Sequence, residues 1–249
     1  MRIAVVTPYH REKHEVLARC MDSVRNQAAE VGHFLVADGY SQDWVEEYPN
    51  VNHIVLRKNS GDFGDTPRSV GFLVAMRNEY DVIQFLDADN LLLPDHFTAV
   101  QECLSSTGPD VVIARRFLMR PDGTRLDAAF TEDIKLEHVD TSCLIFYRTA
   151  FHIGLKWSFI PKQLGFFDDR FFYEILKREA PRTTVMKEPT VGYACLWSIV
   201  YETLGEPLPP GCRRNLTPHL EEAKRWWREL DPEKKQLVER NMGISITLG

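Results

Sequence analysis

The chain has 249 residues, of which 44% are hydrophobic and 27% are charged; these proportions are typical of soluble globular proteins and unlike those of disordered or fibrous chains. Thirty lysine and arginine residues against 36 aspartate and glutamate residues give a net charge of -6, which argues against a protein that binds nucleic acid through a basic surface. The longest apolar runs, such as residues 70–76, are far shorter than the ~20 residues that span a bilayer, so no transmembrane segment is predicted. The first residues lack the apolar core of a signal peptide, and we therefore expect a cytoplasmic protein.

Through the first half of the chain, short runs of β-forming residues alternate with segments of helical periodicity, a pattern typical of βαβ units in a mainly parallel sheet. The predicted strands are residues 2–6, 34–37, 53–56, 82–86 and 111–114, and the predicted helices are residues 12–29, 67–79 and 94–104. The fourth strand is apolar almost throughout, as expected of a strand that is covered on both faces. It is therefore predicted to lie at the centre of the sheet.

The second half of the chain loses this regular alternation. It predicts a strand at residues 143–147, a helix after Asp169 and extended segments at 183–186 and 191–197. Residues 204–216 are rich in proline and glycine and predict a loop. Two helices are predicted to close the chain, the second of which begins at Asp231-Pro232-Glu233 and ends before Gly243, with a capping residue and a proline at its first position.

The clearest chemical signal lies where the fourth strand ends, in the sequence Asp87-Ala88-Asp89-Asn90. Parallel α/β sheets bind their ligands at the carboxyl ends of the strands. Two carboxylates at this spacing can bind a divalent cation such as Mg²⁺ or Mn²⁺ and leave coordination positions for phosphate oxygens. The alternative is that Asp89 and Asn90 only cap the helix that follows, or that both acids lie in a solvated turn.

Residues 3–97 resemble the GT-A glycosyltransferases, in particular the inverting family 2 enzymes, which use nucleotide-diphosphate sugars. The matching segments are residues 5–10, residues 20–27, Val36-Ala37-Asp38-Gly39, residues 59–71 and residues 85–90. The resemblance implies an α/β fold of the GT-A (Rossmann-like) type, with a mixed, mainly parallel sheet flanked by helices and a helical C-terminal end. It implies a single domain over residues 1–249, with a nucleotide-sugar-binding half at 1–115, an acceptor-side half at 116–215 and C-terminal helices at 217–249.

The resemblance also implies which residues bind the donor. They are Thr7, Pro8, Tyr9, Asp38, Asn59, Gly61, Arg68, Asp87, Ala88 and Asp89. Asp38 would accept the ring N–H of a uracil or guanine, which makes UDP and GDP the preferred nucleotides. Asn59, Gly61 and Arg68 lie on a loop at the start of a helix, where backbone N–H groups and a guanidinium favour an anion. The alternatives are that Tyr9 only packs in the core, that Asp38 only forms a turn and that Arg68 only makes a structural ion pair.

The cofactor that the resemblance implies is Mn²⁺ or Mg²⁺. Asp89 is expected to bind this cation directly, and Asp87 is expected to bind it or to contact the ribose. His219 is a further candidate ligand, and a structural or exposed histidine is the alternative. The cation would neutralise charge on the departing nucleotide.

An inverting transfer also needs a base that takes the proton of the acceptor hydroxyl. The family usually supplies this base from an acidic pair just before a helix, which Asp168-Asp169 resembles. We prefer Asp169 as the base, with Glu174 second, and assign Asp168 to positioning the sugar or the base. The alternative is that Asp168 and Asp169 only favour the dipole of the helix that they begin.

The C-terminal region offers two further hypotheses. Arg213 and Arg214 in the loop at 204–216 would form a lid over the diphosphate. Trp226 and Trp227, which lie beside basic residues, would place a helix on a membrane surface. The interpretation that we favour is that Trp227 lies in the core and Trp226 lies on its edge or in an interface.

The function predicted from these observations is metal-dependent, inverting transfer of a sugar from a nucleotide-diphosphate sugar to an acceptor hydroxyl. The alternatives are a non-catalytic sugar-nucleotide-binding protein of the same fold, a nucleotidyltransferase, and a phosphohydrolase of the haloacid-dehalogenase type that would use Asp87 as its nucleophile. No nucleic-acid partner is expected. The acceptor, an oligomeric state and peripheral attachment to a membrane are left open by the sequence.

Overall fold

The structure, a computed structural model, describes residues 1–127, 139–179, 182–213 and 217–248. Its strands are β1 (Ile3–Tyr9), β2 (Val31–Asp38), β3 (Val51–Leu56), β4 (Val82–Phe85), β5 (Leu91–Leu92), β6 (Val111–Met119), β7 (Leu144–Tyr147) and β8 (Thr183–Ala194). Its helices are α1 (His14–Arg25), α2 (Asp65–Arg77), α3 (His96–Thr107), α4 (Phe151–Gly154), α5 (Asp168–Glu179), α6 (Ser198–Leu204), α7 (Thr217–Glu229) and α8 (Pro232–Met242). The predicted strands and helices of the first half are thus confirmed, with shifted ends.

The strands form one mixed sheet in the order β3-β2-β1-β4-β7-β6-β8-β5. The first four are parallel, with Ile3 of β1 opposite Val31 of β2 and Val82 of β4. β7 then runs antiparallel to β4 and β6, β8 is parallel to β6, and β5 is antiparallel to β8. The predicted α/β fold class, a mixed and mainly parallel sheet flanked by helices, is confirmed. β4 lies fourth of the eight strands, as its apolar sequence predicted.

Two of the flanking helices hold the parallel strands. α1 buries Leu17, Cys20, Met21 and Val24, the face that the i, i+3, i+4 spacing predicted. α2 packs so closely on β1 and β2 that a Cβ atom at Gly71 would lie 2.5 Å from a methyl group of Val6 and 2.9 Å from one of Val36. The start of α2 is therefore fixed beside the carboxyl ends of these strands.

The second half of the chain packs on the sheet through aromatic rings. Trp157 stacks on Phe172 of α5 with ring centroids 4.1 Å apart, and the edge of the Phe85 ring meets Trp157. Trp157 belongs to the first of two 3₁₀ turns, Leu155–Phe159 and Lys162–Phe167, that lead into α5. These turns were not predicted, because their sequence has neither helical nor strand periodicity. They bring the start of α5 to the end of β4.

The predictions for the region after β8 are confirmed with shifted ends. β8 ends at Ala194 and Trp197 is still extended, and the described part of the predicted loop at 204–216 begins after residue 204, the last residue of α6. α6 was missed because it is short; it buries Val200 and Tyr201 and ends before Gly205, which has a φ of +66°. Arg213 then pairs with Trp197 in a parallel β-bridge. Residues 214–216, and with them the predicted lid residue Arg214, lie outside the described residues.

The C-terminal helices agree with their sequence signals. Asp231 caps α8, with Oδ1 accepting from the N–H of Glu233 at 2.9 Å, and Pro232 follows at the first helical position. Trp226 and Trp227 are half-buried and pack against the main core, so Trp226 lies at the edge of the core as we favoured, whereas Trp227 is less buried than we predicted. In the part of the chain that the structure describes, no helix has the length and apolar character needed to cross a bilayer.

Candidate active site

A cleft opens at the carboxyl ends of β1, β2 and β4 and consists of two chambers. The first has a volume of about 340 Å³ and is bounded by the ends of β1 and β2 and by the loop before α2. The second, of about 390 Å³, lies between the start of α5 and the end of β8. Both are lined by the same five side chains, Phe63, Arg68, Asp87, Asp89 and Arg213. These five residues therefore form the junction of the chambers.

Most of the predicted donor residues line the first chamber: Pro8, Tyr9, Asp38, Asn59, Gly61, Arg68, Asp87, Ala88 and Asp89. Thr7 does not. Its side chain is fully buried, and Oγ1 lies 2.8 Å from Nε2 of His33 on the neighbouring strand. Because side chains alternate across a strand, Thr7 points into the protein while its neighbours reach the cleft, and we withdraw its side chain from the donor site.

Asp38 and Tyr9 hold the wall of the first chamber. Asp38 Oδ1 accepts from the Ser60 N–H at 2.9 Å and from the Ser60 hydroxyl at 2.8 Å, so this carboxylate fixes the loop that follows β3. The Tyr9 hydroxyl accepts from the Gln42 N–H at 3.1 Å and lies 2.7 Å from Nε2 of His53. Tyr9 is only 2% exposed, so packing describes its ring better than a free base-stacking surface does.

One histidine in this wall was not predicted from the sequence. His10 lines the first chamber, and its Nδ1 lies 2.6 Å from the backbone oxygen of Asp38. The signal was available, because His10 directly follows the residues that the resemblance marked at the end of β1.

Asp87 and Asp89 lie side by side at the junction. Asp87 Oδ1 accepts from Nη2 of Arg68 at 2.8 Å. Burial, and after it the charge of Asp87, raises the pKa of Asp89 to about 7. Asp89 and Asn90 do not cap the helix that follows, because α3 begins at His96 and its capping position is Asp95. Asn90 instead links distant segments, donating to Ser142 Oγ at 2.8 Å and accepting from the Ala194 N–H at 2.9 Å.

Arg68 is enclosed by acceptors. Nη1 donates to the backbone oxygen of Phe63 at 3.1 Å and to Asp65 Oδ1 at 3.2 Å, and it lies 3.8 Å from Asp168 Oδ2. The guanidinium also packs over the Trp157 ring at 5.2 Å. The structural ion pair is therefore the better description of Arg68, and its predicted part in binding an anion is not supported by this arrangement.

The start of α2 is also less suited to an anion than we predicted. Oδ2 of Asp62 accepts from the N–H of Thr66 at 3.0 Å and from its hydroxyl at 2.5 Å. A carboxylate thus already binds a first-turn amide of this helix and would repel a phosphate there.

Asp168 and Asp169 begin α5 and line the second chamber. Asp168 is buried, and burial raises its pKa to about 7; its Oδ1 accepts from the N–H of Asp169 at 2.6 Å. Asp169 is only partly buried. Glu174 does not line the chamber; it is exposed and pairs with Lys177. The structure thus brings the acidic pair to the cleft and leaves Glu174 outside it.

The far wall of the second chamber is aromatic and was not predicted. Arg213 lies over two rings, 5.8 Å from the centre of Phe166 and 5.5 Å from that of Trp197. The Trp197 ring N–H donates to the Tyr193 hydroxyl at 3.2 Å. Arg116 packs over the other ring of this row, Tyr193, at 4.3 Å. Arginine side chains and aromatic rings thus alternate along this wall. The sequence did not predict this arrangement, because the residues lie far apart in the chain.

The carboxylates at the junction fit a divalent cation that is also bound by phosphate. Mg²⁺ in phosphate-binding sites usually takes one or two carboxylates and completes its shell with substrate oxygens, and Asp87 and Asp89 offer such a pair. Among the described residues no group of three or more His, Cys, Asp or Glu is arranged to hold a metal ion. His219 is exposed, stacks on Phe166 with centroids 4.2 Å apart and lines neither chamber, so its geometry does not support a third ligand.

Comparisons with known proteins agree on one fold. The sequence model of a family described as "Glycosyl transferase family 2" matches residues 4–159. The crystal structure of S. aureus TarS 1–349 in complex with UDP is 15% identical with a TM-score of 0.63, over 97% of this chain and 80% of that one. The complex of TarS 1–349 with UDP-GlcNAc is 15% identical with a TM-score of 0.61, over 98% and 74% of the two chains. No curated protein matches the chain.

Proposed function

Because the chain belongs to glycosyl transferase family 2, we propose that it transfers a sugar from a nucleotide-diphosphate sugar to an acceptor hydroxyl, with inversion and with the help of Mn²⁺ or Mg²⁺. The family and the GT-A fold were predicted from the sequence and are confirmed. Membership sets aside the phosphohydrolase and the nucleotidyltransferase. The observation that carries the proposal is the junction, where Asp87, Asp89 and Arg213 lie between a first chamber that we assign to the nucleotide and a second chamber that we assign to sugars.

The first chamber is the proposed nucleotide site. Asp38 lies in its wall as an acceptor of hydrogen bonds, which suits the ring N–H of uracil or guanine. The proteins of similar fold were crystallised with UDP and with UDP-GlcNAc, and this favours uracil. We therefore propose a UDP-sugar as the first donor to test, with a GDP-sugar second.

We assign the diphosphate to the junction. Asp89, with Asp87 beside it, would hold the divalent cation, which would supply positive charge to the leaving diphosphate. Arg213 lies close enough to Asp89 to oppose the rise of its pKa, which burial and Asp87 cause. Its guanidinium is suited to bind phosphate oxygens from the opposite side.

The second chamber holds the reacting groups. We assign the base to Asp169, which lines this chamber; it takes the proton of the acceptor hydroxyl while that oxygen bonds to the anomeric carbon and the bond to the diphosphate breaks, with its electron pair going to the phosphate oxygen. Asp168 positions Asp169, because its Oδ1 accepts the Asp169 N–H at 2.6 Å. Attack from the face opposite the diphosphate inverts the anomeric centre.

Thermal unfolding in the presence of UDP, GDP and dTDP, with Mn²⁺ or with a chelator, tests the donor site. A nucleotide at 100 times its dissociation constant stabilises the folded state by about 2.7 kcal/mol, which raises the midpoint by several degrees in a protein of this size. We expect a shift with UDP that the chelator reduces. Asp89→Asn should lose the metal-dependent part of the shift, and Asp169→Asn should keep it while abolishing turnover of the UDP-sugar.

Glu174→Gln is the matched control for Asp169→Asn, because both changes remove one carboxylate from α5 and only Asp169 lines the cleft. The control should turn over like the original protein. The assignment of the base would be refuted by full turnover of Asp169→Asn. Folded protein that shifts with no nucleotide would refute the donor site, and with it the transferase proposal.

A further inference from the structure

Phe63 is an exposed aromatic side chain at the junction of the two chambers. Its side chain is 55% exposed, and it lines both chambers. Its backbone has a φ of +57°, in the left-handed region that residues with a bulky side chain rarely adopt. An exposed phenylalanine in a strained conformation contributes little to folding. Strain of this kind is often kept at sites that bind a ligand.

Two hydrogen bonds and one glycine hold this conformation. Arg68 Nη1 donates to the Phe63 backbone oxygen at 3.1 Å, and Asp62, the residue before Phe63, is itself held by the N–H of Thr66 at the start of α2. Across the cleft, Gly165 leaves room for the ring, because a Cβ atom there would lie 2.7 Å from Phe63 Cδ2. The same network that positions Asp87 therefore holds the Phe63 ring over the cleft.

The surroundings of the ring suit a sugar. Phe63 meets Phe166 edge to face, with centroids 6.0 Å apart, so these rings form an apolar corner. Carboxylate and guanidinium groups of Asp169, Arg170 and Arg213 line the same chamber. A sugar ring has C–H bonds on its faces, which pack on an aromatic ring, and hydroxyl groups at its rim, which bond to carboxylates and guanidinium groups. A lipid chain would leave these charged groups desolvated and without partners.

We infer that Phe63 is a stacking platform for the sugar ring of a saccharide substrate. The inference rests on the proposed function and adds to it the residue that recognises the ring. The ring belongs either to the donor, whose sugar projects from the junction, or to a saccharide acceptor in the second chamber. The chemistry of recognition is the same in both cases.

Phe63→Gly and Phe63→Trp test the inference. Glycine removes the ring and adopts a positive φ without strain, whereas tryptophan keeps an aromatic face. Phe159→Ala is the matched control, because Phe159 is 46% exposed and lines neither chamber. Calorimetry gives the ratio of the affinities for UDP-GlcNAc and UDP, and an array of immobilised glycans, with and without UDP, reports an acceptor.

We expect Phe63→Gly to lower one of two readouts at least tenfold, either the affinity ratio of UDP-GlcNAc to UDP or the binding of glycans, while its thermal midpoint is equal to or above that of the original protein. A fall in the affinity ratio identifies the donor ring, and a fall in glycan binding identifies an acceptor. Phe63→Trp and Phe159→Ala should keep both within threefold. If Phe63→Gly is unfolded, Phe63→Asn takes its place, since asparagine tolerates this conformation.

The inference is overturned if removal of the ring leaves both readouts within twofold. It is also overturned if the original protein binds UDP but neither prefers UDP-GlcNAc nor binds any glycan, a result that leaves the nucleotide site intact. Failure to bind any nucleotide would instead count against the proposed function, and the glycan array without UDP would still test Phe63.

Discussion

Three carboxyl groups share one buried guanidinium at the floor of the cleft. Arg68 lies within 3.2 Å of Asp65, 2.8 Å of Asp87 and 3.8 Å of Asp168, and one positive charge neutralises one of the three. Burial, and after it the charge of Asp168, raises the pKa of Asp65 well above its ordinary value. The short distance to Arg68 favours an ionised Asp65, but this guanidinium also serves Asp87. We therefore expect Asp65 to hold its proton at a higher pH than an ordinary aspartate does and to act as a hydrogen-bond donor to Asp168.

Asp65→Asn should make the protein more stable at pH 7.5 and reduce the dependence of its stability on pH. The folded pKa values of Asp65 and Asp168 lie above those of the unfolded chain, so the folded state binds more protons and the free energy of unfolding falls as the pH rises from about 4 to about 7. Asparagine keeps the donor to Asp168 without a titrating proton. We expect a gain in the free energy of unfolding at pH 7.5 that shrinks towards pH 4, measured by urea unfolding between pH 4 and 8.

Asp65→Leu is the control for this prediction, because it removes the same proton and also the donor, and it should be less stable than Asp65→Asn throughout. A loss of stability in Asp65→Asn that is equal at all pH values would show that Asp65 is ionised in the folded protein.

Single residues also show how far the sequence could predict the site. The position of Asp87, Asp89 and Asp169 at the cleft was predictable, because a strand end or a helix start places a carboxylate at a cleft whatever its neighbours are. Arg68 was assigned to an anion because a sequence does not show that Asp65 and Asp168 converge on it from separate elements. Thr7 failed for a related reason, since the partner that holds it inward, His33, lies on another strand.

At the scale of elements, helix α2 contributes two charged side chains to the floor of the cleft, and one glycine allows it to pack closely on the sheet. The helix contributes Asp65 and Arg68 and lies directly on β1 and β2 at Gly71. The sequence predicted this helix from its periodicity, but it could not predict how closely the helix packs. The 3₁₀ turns before α5 and the short α6 escaped prediction because segments without a period are fixed by tertiary packing, here around Trp157 and Tyr201.

Gly71→Ala should destabilise the protein although alanine is the better helix former. The added methyl group would meet Val6 at 2.5 Å, and overpacking of this kind costs about 1–3 kcal/mol, against a gain of roughly 1 kcal/mol in helix propensity. We expect a net loss of up to ~2 kcal/mol in urea unfolding. A double-mutant cycle with Val6→Ala tests the clash, because the smaller alanine at position 6 makes room for the added methyl group. The destabilisation of the double variant should therefore be smaller than the sum of the destabilisations of the two single variants. Strict additivity would rule out the clash as the cause.

At the scale of the whole molecule, the two halves of the chain meet along β4 and β7, where the sheet changes from parallel to antiparallel pairing. Buried polar contacts tie the halves together: His96 lies 2.7 Å from Gln84 and 2.7 Å from Thr190, and Asn90 reaches Ser142 and Ala194. The alternation of strands and helices predicted the parallel half. The strand order of the other half could not be predicted in the same way, because β6, β7 and β8 pair across long separations in the sequence.

Arg213 joins the segment after β8 to the cleft, and its position predicts that its loss weakens the binding of UDP selectively. Its N–H donates to the Leu196 oxygen at 2.6 Å, its oxygen accepts from the Ser198 N–H at 3.1 Å, and its guanidinium enters the junction between Phe166 and Trp197. Arg213→Ala keeps the backbone contacts and removes the charge. A hydrogen bond to a charged group is worth about 1.5–3 kcal/mol, so the affinity for UDP should fall by roughly 10- to 100-fold.

The affinity for uridine, which has no phosphate, should stay within threefold in the same variant, because in the proposed donor site Arg213 binds the diphosphate and the base lies at the other end of the first chamber. Arg170→Ala is the matched control: Arg170 is an exposed arginine that lines only the second chamber, and its loss should leave UDP binding unchanged. Calorimetry with UDP and uridine on the three proteins decides the matter. Equal losses for UDP and uridine in Arg213→Ala would mean that the side chain supports the shape of the cleft through its two aromatic neighbours. A loss confined to UDP would instead place the diphosphate at the junction, where the two halves of the chain meet.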